Sequence, residues 1–140
     1  MSDLVLIDTS AWITYFAPDF RGLPDVADEV ERLIVEGKAS YTEIIYMELF
    51  VGIKKEEEVR KFRSAFAGLP VCSLIDRSIW VDAHIKAHEL WKANVKRNLG
   101  DIIIACVAMN YNVAVFHHDR DFVKMAKVLD FNQYTLLKTK

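Results

Sequence analysis

The chain is short of the residues that punctuate or staple small folds. In 140 residues it has five glycines, three prolines and two cysteines. That scarcity excludes Pro- or Gly-rich low-complexity segments, and there is no internal repeat or long linker. Cys72 and Cys106 lie in apolar surroundings, "LPVCSL" and "IIIACVAM", and neither falls in a CxxC motif. A thiolate metal site therefore has no support, and two buried free thiols are the better reading than a disulfide. No apolar stretch approaches the roughly 18 residues that a membrane span needs. Nor does the N-terminus pair a basic segment with an apolar run, as a secretory signal would. The expectation is a cytoplasmic protein with no membrane partner. The formal net charge of -2 is uninformative about nucleic acid, because binding depends on where charge sits.

Apolar residues make up 52% and charged residues 27%, which suits one globular domain over residues 1–140 with one core. Basic residues cluster at Lys54 and Lys55, at Arg60, Lys61 and Arg63, and at Lys92, Lys96 and Arg97. Each cluster alone reads as a solvated helix face.

Along the chain, strand and helix patterns alternate. Residues 4–7 read as a strand and 9–16 as a short helix, followed by the loop "APDFRGLP". Residues 25–36 repeat Val26, Val30, Leu33 and Ile34 at helical spacing, with Asp25 as N-cap and Gly37 just past the end. "KASYT" reads as a second strand, Thr42 caps a helix over 43–53, and a charged helix spans about 55–67 before Gly68. "PVCSL" reads as a third strand. Asp76 caps a long helix to about Lys96, with Ile79, Ala83, Ala87, Leu90 and Trp91 on one side. After a break at Leu99-Gly100 come an apolar helix over 101–111, the strand "VAVF", a helix over 120–129 and a final edge strand in "YTLLK". Such alternation predicts a parallel sheet covered on both faces. Ligands of such sheets bind outside the carboxyl ends of the strands.

Acids fall at that edge. Asp8 follows the first strand, in "LVLIDTSAWITYF", and Asp119 follows "VAVF". Each can also be read as a helix N-cap. Glu48, in "YTEIIYMELFVG", has Ile44, Ile45, Val51 and Gly52 as same-face neighbours on a helix. The expectation is a carboxylate on a buried stripe, costly unless paired or bound to a metal. Glu43 sits in the first turn, where the helix dipole accommodates it. Asp101 heads "GDIIIACVAMNY", a helix apolar nearly all round, so burial of the helix carries the acid inward. Four carboxylates converging in one cleft would raise one another's pKa values. A hard divalent cation with oxygen ligands makes them tolerable and suits phosphodiester hydrolysis.

The segments "LIDTSAW", "YMELFVG", "LGDIIIACVAMNYNVAVF" and "HHDRDF", in this order, resemble a PIN-domain ribonuclease, most of all the VapC toxins of toxin–antitoxin pairs. The resemblance covers nearly the whole chain. It implies a three-layer α/β/α sandwich with a central parallel sheet. It also implies a Mg²⁺- or Mn²⁺-dependent endoribonuclease whose acidic quartet is Asp8, Glu48, Asp101 and Asp119, with Asp8, Asp101 and Asp119 as metal ligands. Ser10 matches the small hydroxyl residue that supports the pocket. Asp121 assists or takes the place of Asp119 as the fourth acid. The partners it implies are an RNA substrate, a second copy of the chain in a homodimer, and a cognate antitoxin. The antitoxin would lie across a groove that "AWITYF" and the helices within 25–67 are candidates to form. His117 stands where relatives have Thr or Ser, and is read as a tolerated change behind the pocket.

Other readings fit less well. His84 and His88 in "HIKAHE" are spaced to share a helix face, but no third zinc ligand is evident. Trp80 and Trp91 read as packing or rim residues, with base stacking as the minor alternative. A haloacid-dehalogenase-like phosphatase needs an Asp two residues after the first, where Ser10 stands. A receiver domain needs an acidic pair after the first strand, and "LIDTS" supplies one acid. A PIN nuclease without an antitoxin, or a non-catalytic binding module, remains as the alternative.

Overall fold

A computed structural model describes residues 3–138. Four parallel strands form the sheet: β1 (Val5–Ile7), β2 (Ala39–Ser40), β3 (Ala114–His117) and β4 (Gln133–Thr135), in the order β2-β1-β3-β4. Consecutive strand residues point to opposite faces. Leu6 and Ile7 are both fully buried, as are Val115 and Phe116, so helices cover the sheet on both sides. The architecture is the α/β/α sandwich.

The helices are α1 (Thr9–Phe16), α2 (Pro24–Val35), α3 (Glu43–Val51), α4 (Glu56–Phe66), α5 (Arg77–Lys92), α6 (Leu99–Tyr111) and α7 (Arg120–Met125). α6 is buried from Ile102 to Ala108 and packs against α5, as its all-round apolar sequence requires. α1 packs on α2. Trp12, on α1, is fully buried and lies 4.7 Å from the ring of Phe66 and 5.7 Å from that of Phe16. Cys72 and Cys106 are buried free thiols.

The order of strands positions the site. From β1 the chain pairs on one side with β2 and on the other with β3, so the connections change direction between β1 and β3. That switch point opens a crevice at the carboxyl ends of the two strands. Asp8 and His118 lie there, and the Asp8 N–H still donates to the Phe116 carbonyl at 2.9 Å.

Several local expectations differ from the structure. "PVCSL" contributes one isolated bridge, Tyr41 to Val71, and no strand. Pro70 has no N–H to offer, β2 is two residues long, and Val71 is 46% exposed, so pairing does not propagate. Pro24 opens α2 and Leu23 is its cap, which leaves Asp25 in the first turn. α5 ends at Lys92, four residues early, because Asn94 adopts a left-handed conformation (φ 58°). Trp91 is 58% exposed and belongs to the outer side of that helix. Leu99 and Gly100 open α6 and do not break the chain, since Asn98 caps the helix. α3 stops at Val51 and α7 at Met125, short of residues 53 and 129. Gly37, by contrast, ends α2 as expected: its φ of 71° favours glycine, and Lys38 N–H closes back on the Leu33 carbonyl at 2.8 Å.

Candidate active site

The strand β1 delivers Asp8 into the crevice, where it is 3% exposed. Asp8 is also the N-cap of α1, so capping and a place in the site are not exclusive. Its Oδ2 accepts from the Ser10 N–H at 3.0 Å and from the Ser10 hydroxyl at 2.7 Å. The same hydroxyl accepts from the His118 N–H at 2.9 Å. Ser10 therefore ties the end of β1 to the end of β3. Burial pushes the Asp8 carboxyl up to about 6, against the lowering effect of the Ser10 bonds.

β3 delivers the second acid in the same way. Asp119 caps α7, and its Oδ1 accepts from the Asp121 N–H at 2.9 Å. Asp101 enters from the first turn of α6, where the Asn98 side chain accepts its N–H at 3.2 Å. Asp101, Asp119 and Asp121 are each half-buried, and a carboxylate oxygen from each lies within 4.8 Å of the others. Both Asp119 and Asp121 are thus in the group, and Asp8 stands beside it. The Asp101 carboxyl is pushed up to about 7, first by burial and then by the charges of Asp8, Asp119, Asp121 and Glu48.

Glu48 is exposed and does not lie on the buried stripe expected of it. α3 is apolar on nearly every side, so its sequence does not reveal which face turns inward; Met47 and Val51 are also exposed, at 52% and 77%. Glu48 reaches the site from the rim instead. Thr9 donates its hydroxyl to Glu48 Oε1 at 2.8 Å. On the other side, Glu48 Oε2 lies 3.1 Å from where a Cβ would stand on Gly100. Glycine at position 100 admits the carboxylate against the first turn of α6.

Sequence reasoning missed Gly100, Asn98 and Thr9. The signal for Asn98 was present, since Asn three residues before an apolar helix's first acid is a favoured cap. Glu43 does more than complement a helix dipole: it accepts from the Ser73 hydroxyl at 2.5 Å and the Leu74 N–H at 2.8 Å, pinning the loop before α5.

Two basic or aromatic features resolve as well. Lys96 Nζ lies 3.2 Å from Asp121 Oδ2, so one member of the third basic cluster faces the acids. His84 and His88 are exposed, and His88 stacks on Trp91 with ring centroids 5.6 Å apart. Neither joins a metal-ligand group among the described residues.

Beside the acids runs an apolar groove of about 680 Å³ between α1, α3 and α4. Ile13, Phe16, Leu49 and Phe62 line it, together with the charged residues Glu48, Lys55, Glu57, Glu58 and Lys61. "AWITYF" therefore divides: Trp12 is core, whereas Ile13 and Phe16 are 41% and 38% exposed in the groove.

A family model of the PIN domain matches residues 5–128. The chain belongs to the PIN-domain family. Over 129 residues, 89% of this chain and 93% of the relative, it is 30% identical to "VapC ribonuclease Mb1587" of Mycobacterium bovis. The same figures hold for "Ribonuclease VapC11" of Mycobacterium tuberculosis. Among solved structures, the fold is similar to a chain of VapBC2 from Rickettsia felis bound to a promoter DNA fragment. That match has a TM-score of 0.74, is 15% identical, and covers 94% of this chain and 98% of the other. A chain of VapBC-1 from nontypeable Haemophilus influenzae matches with a TM-score of 0.70, 18% identity, and 94% and 97% coverage. In this PIN domain the acids sit at the carboxyl edge of the sheet.

Proposed function

We propose that this PIN domain is a divalent-metal-dependent endoribonuclease and the toxin of a toxin–antitoxin pair. The observation that carries the reading is the convergence of Asp101, Asp119 and Asp121 within 4.8 Å at the switch point of the sheet, with Asp8 and Glu48 close enough to raise Asp101's pKa. The donor set is all oxygen and carries surplus negative charge, which fits Mg²⁺ or Mn²⁺ and not a softer ion. Asp101, Asp119 and Asp121 would hold the cation, with Asp8 as a further ligand. When bound, the cation supplies Lewis-acid stabilisation of the scissile phosphate and lowers the pKa of an attacking water.

The chain's own residues set that chemistry up. Ser10 orients the Asp8 carboxylate, and Thr9 holds Glu48 Oε1 at the rim, where Glu48 can accept a proton from water at the open side. Lys96 sits where it can exchange Asp121 for a substrate phosphate. RNA is the proposed substrate, in keeping with the names of the relatives.

The groove beside the acids is the proposed seat of the antitoxin. It is apolar along Ile13, Phe16 and Phe62 and reaches the site at Glu48, so one bound segment can block both. The outward side of α5 carries the exposed Trp80, Val81, Ile85 and Trp91, and is the proposed face for a second copy of the chain.

The test is cleavage of single-stranded RNA by the purified protein, with Mn²⁺ and with chelator. Asp101→Asn and Asp119→Asn, folded by circular dichroism, should lose more than the roughly 100-fold that changes behind a metal site produce. Undiminished, metal-independent cleavage by both variants would falsify the reading. Expression of the chain alone should arrest growth; harmless expression alongside Mn²⁺-dependent cleavage would favour a PIN nuclease without an antitoxin.

A further inference from the structure

His117 is the largest polar side chain that is fully buried among the described residues, at 0% exposure, and the cleavage chemistry gives it no task. It cannot touch RNA from there. Its contacts are specific. The Asp119 N–H donates to His117 Nδ1 at 3.1 Å. A backbone N–H can only donate, so Nδ1 is the acceptor and the ring proton lies on Nε2. Nε2 faces Gln133 Oε1 at 2.6 Å, across the β3–β4 pair. The ring packs against Phe122 of α7, with centroids 5.0 Å apart. The Asp119 N–H thereby selects the tautomer, and Gln133 of β4, facing Nε2, anchors the ring that accepts from that peptide.

We propose that His117 is a positioning residue for the metal site, holding the Asp119 carboxylate through the Asp119 N–H while Gln133 anchors the ring at Nε2. Without the Nδ1 acceptor, the part-buried Asp119 N–H loses its partner, and the peptide between β3 and α7 is free to rotate. The cap bond from Asp121 to Asp119 would move with it, so two ligands lose register together. This inference rests on the metal-dependent reading of the site.

Two substitutions separate the ring's two nitrogens. His117→Asn places an amide oxygen near the position of Nδ1 and keeps an acceptor for Asp119. His117→Gln places its amide near the position of Nε2, keeps the contact with Gln133, and removes the acceptor. Calorimetric titration with Mn²⁺ reads the outcome, with thermal unfolding as a separate measure of packing. His117→Gln should weaken Mn²⁺ binding about 10-fold or more, while His117→Asn stays within about threefold of wild type. RNA cleavage by His117→Gln should recover at saturating Mn²⁺. Equal affinities for both variants and wild type would overturn the proposal, as would equal losses in both, because the ring would then only fill space. If His117→Gln does not fold, Gln133→Leu serves: it leaves the ring in place and should still weaken Mn²⁺ binding, and unchanged binding there overturns the proposal. A wild-type protein that does not bind Mn²⁺ overturns the metal reading itself, a result told apart because no variant is involved.

Discussion

The acid crevice and the groove beside it share α1 and α3 yet are built on opposite terms. In the crevice, the chain holds carboxylates together at the expense of its own stability. Asp8 and Asp101 are pushed up to about 6 and about 7, by burial before anything else. In the groove and under it, aromatic rings meet in ordinary packing: Trp12 on Phe66, Phe62 on Phe66 at 4.6 Å, Tyr46 on Phe62 at 4.8 Å. One region is poised for an ion and the other supports the fold while leaving its upper surface open.

The largest expected contrast is in stability. Trp12→Ala removes a fully buried ring and should destabilise the protein by about 3–5 kcal/mol, read by denaturant unfolding. Asp101→Asn should do the reverse in the metal-free protein: it deletes a charge from a repulsive, half-buried site and raises the melting temperature at pH 8. If both variants lost stability, the crevice would not be strained and the contrast would fail.

pH sharpens the same point. A carboxyl raised in the folded state binds its proton more tightly there than in the unfolded chain. Its stabilising contribution is complete below the ordinary value of 3.8 and is lost as pH rises through about 7 for Asp101 and about 6 for Asp8. His117 runs the other way, since burial holds its pKa below the usual 6.5 and its neutral form is lost in acid. The wild type minus Asp101→Asn difference isolates the acid: metal-free wild type should lose stability relative to the variant between pH 4 and 8. Saturating Mn²⁺ should abolish that trend at pH 8, and a trend indifferent to Mn²⁺ would count against the site.

How far the sequence reveals each region follows from the same physics. The acids stand out because a charge is conspicuous at the end of an apolar run, and Asp8, Asp101 and Asp119 each end or begin a buried element. The alternation of elements likewise betrays the parallel sheet. Glu48 is misjudged because α3 is apolar around its whole circumference, and only tertiary packing decides which side faces in. "PVCSL" has the composition of a strand, but strand formation depends on a neighbour long enough to pair with, and β2 is two residues long. His117 is named by its place in "HHD", yet its role depends on the folded peptide of Asp119 and on Gln133, sixteen residues away.

Lys96→Ala should have a small effect. The pair with Asp121 lies at the surface, with the lysine side chain 67% exposed, and such pairs contribute about 0–1 kcal/mol. Stability should hardly move, whereas KM for RNA should rise if the lysine exchanges its partner for phosphate. A lower KM would show that the lysine competes with substrate or cation.

The smallest predicted effect tests the boundary that the two regions share. Gly100→Ala puts a methyl 3.1 Å from Glu48 Oε2, the far end of a flexible side chain, so the carboxylate need shift only by a few tenths of an ångström. Gly100 is helical with no positive φ, so alanine carries no backbone strain, and the helix itself gains from the replacement. Stability should therefore stay level or rise slightly. Glu48 shifts away from Gly100, and because a misplacement of about 1 Å at a reacting centre can cost on the order of 100-fold, a few tenths should cost a few-fold in kcat. Mn²⁺ affinity, set by the aspartates, should not change. A variant that loses Mn²⁺ binding along with turnover would place Glu48 among the ligands rather than at the rim.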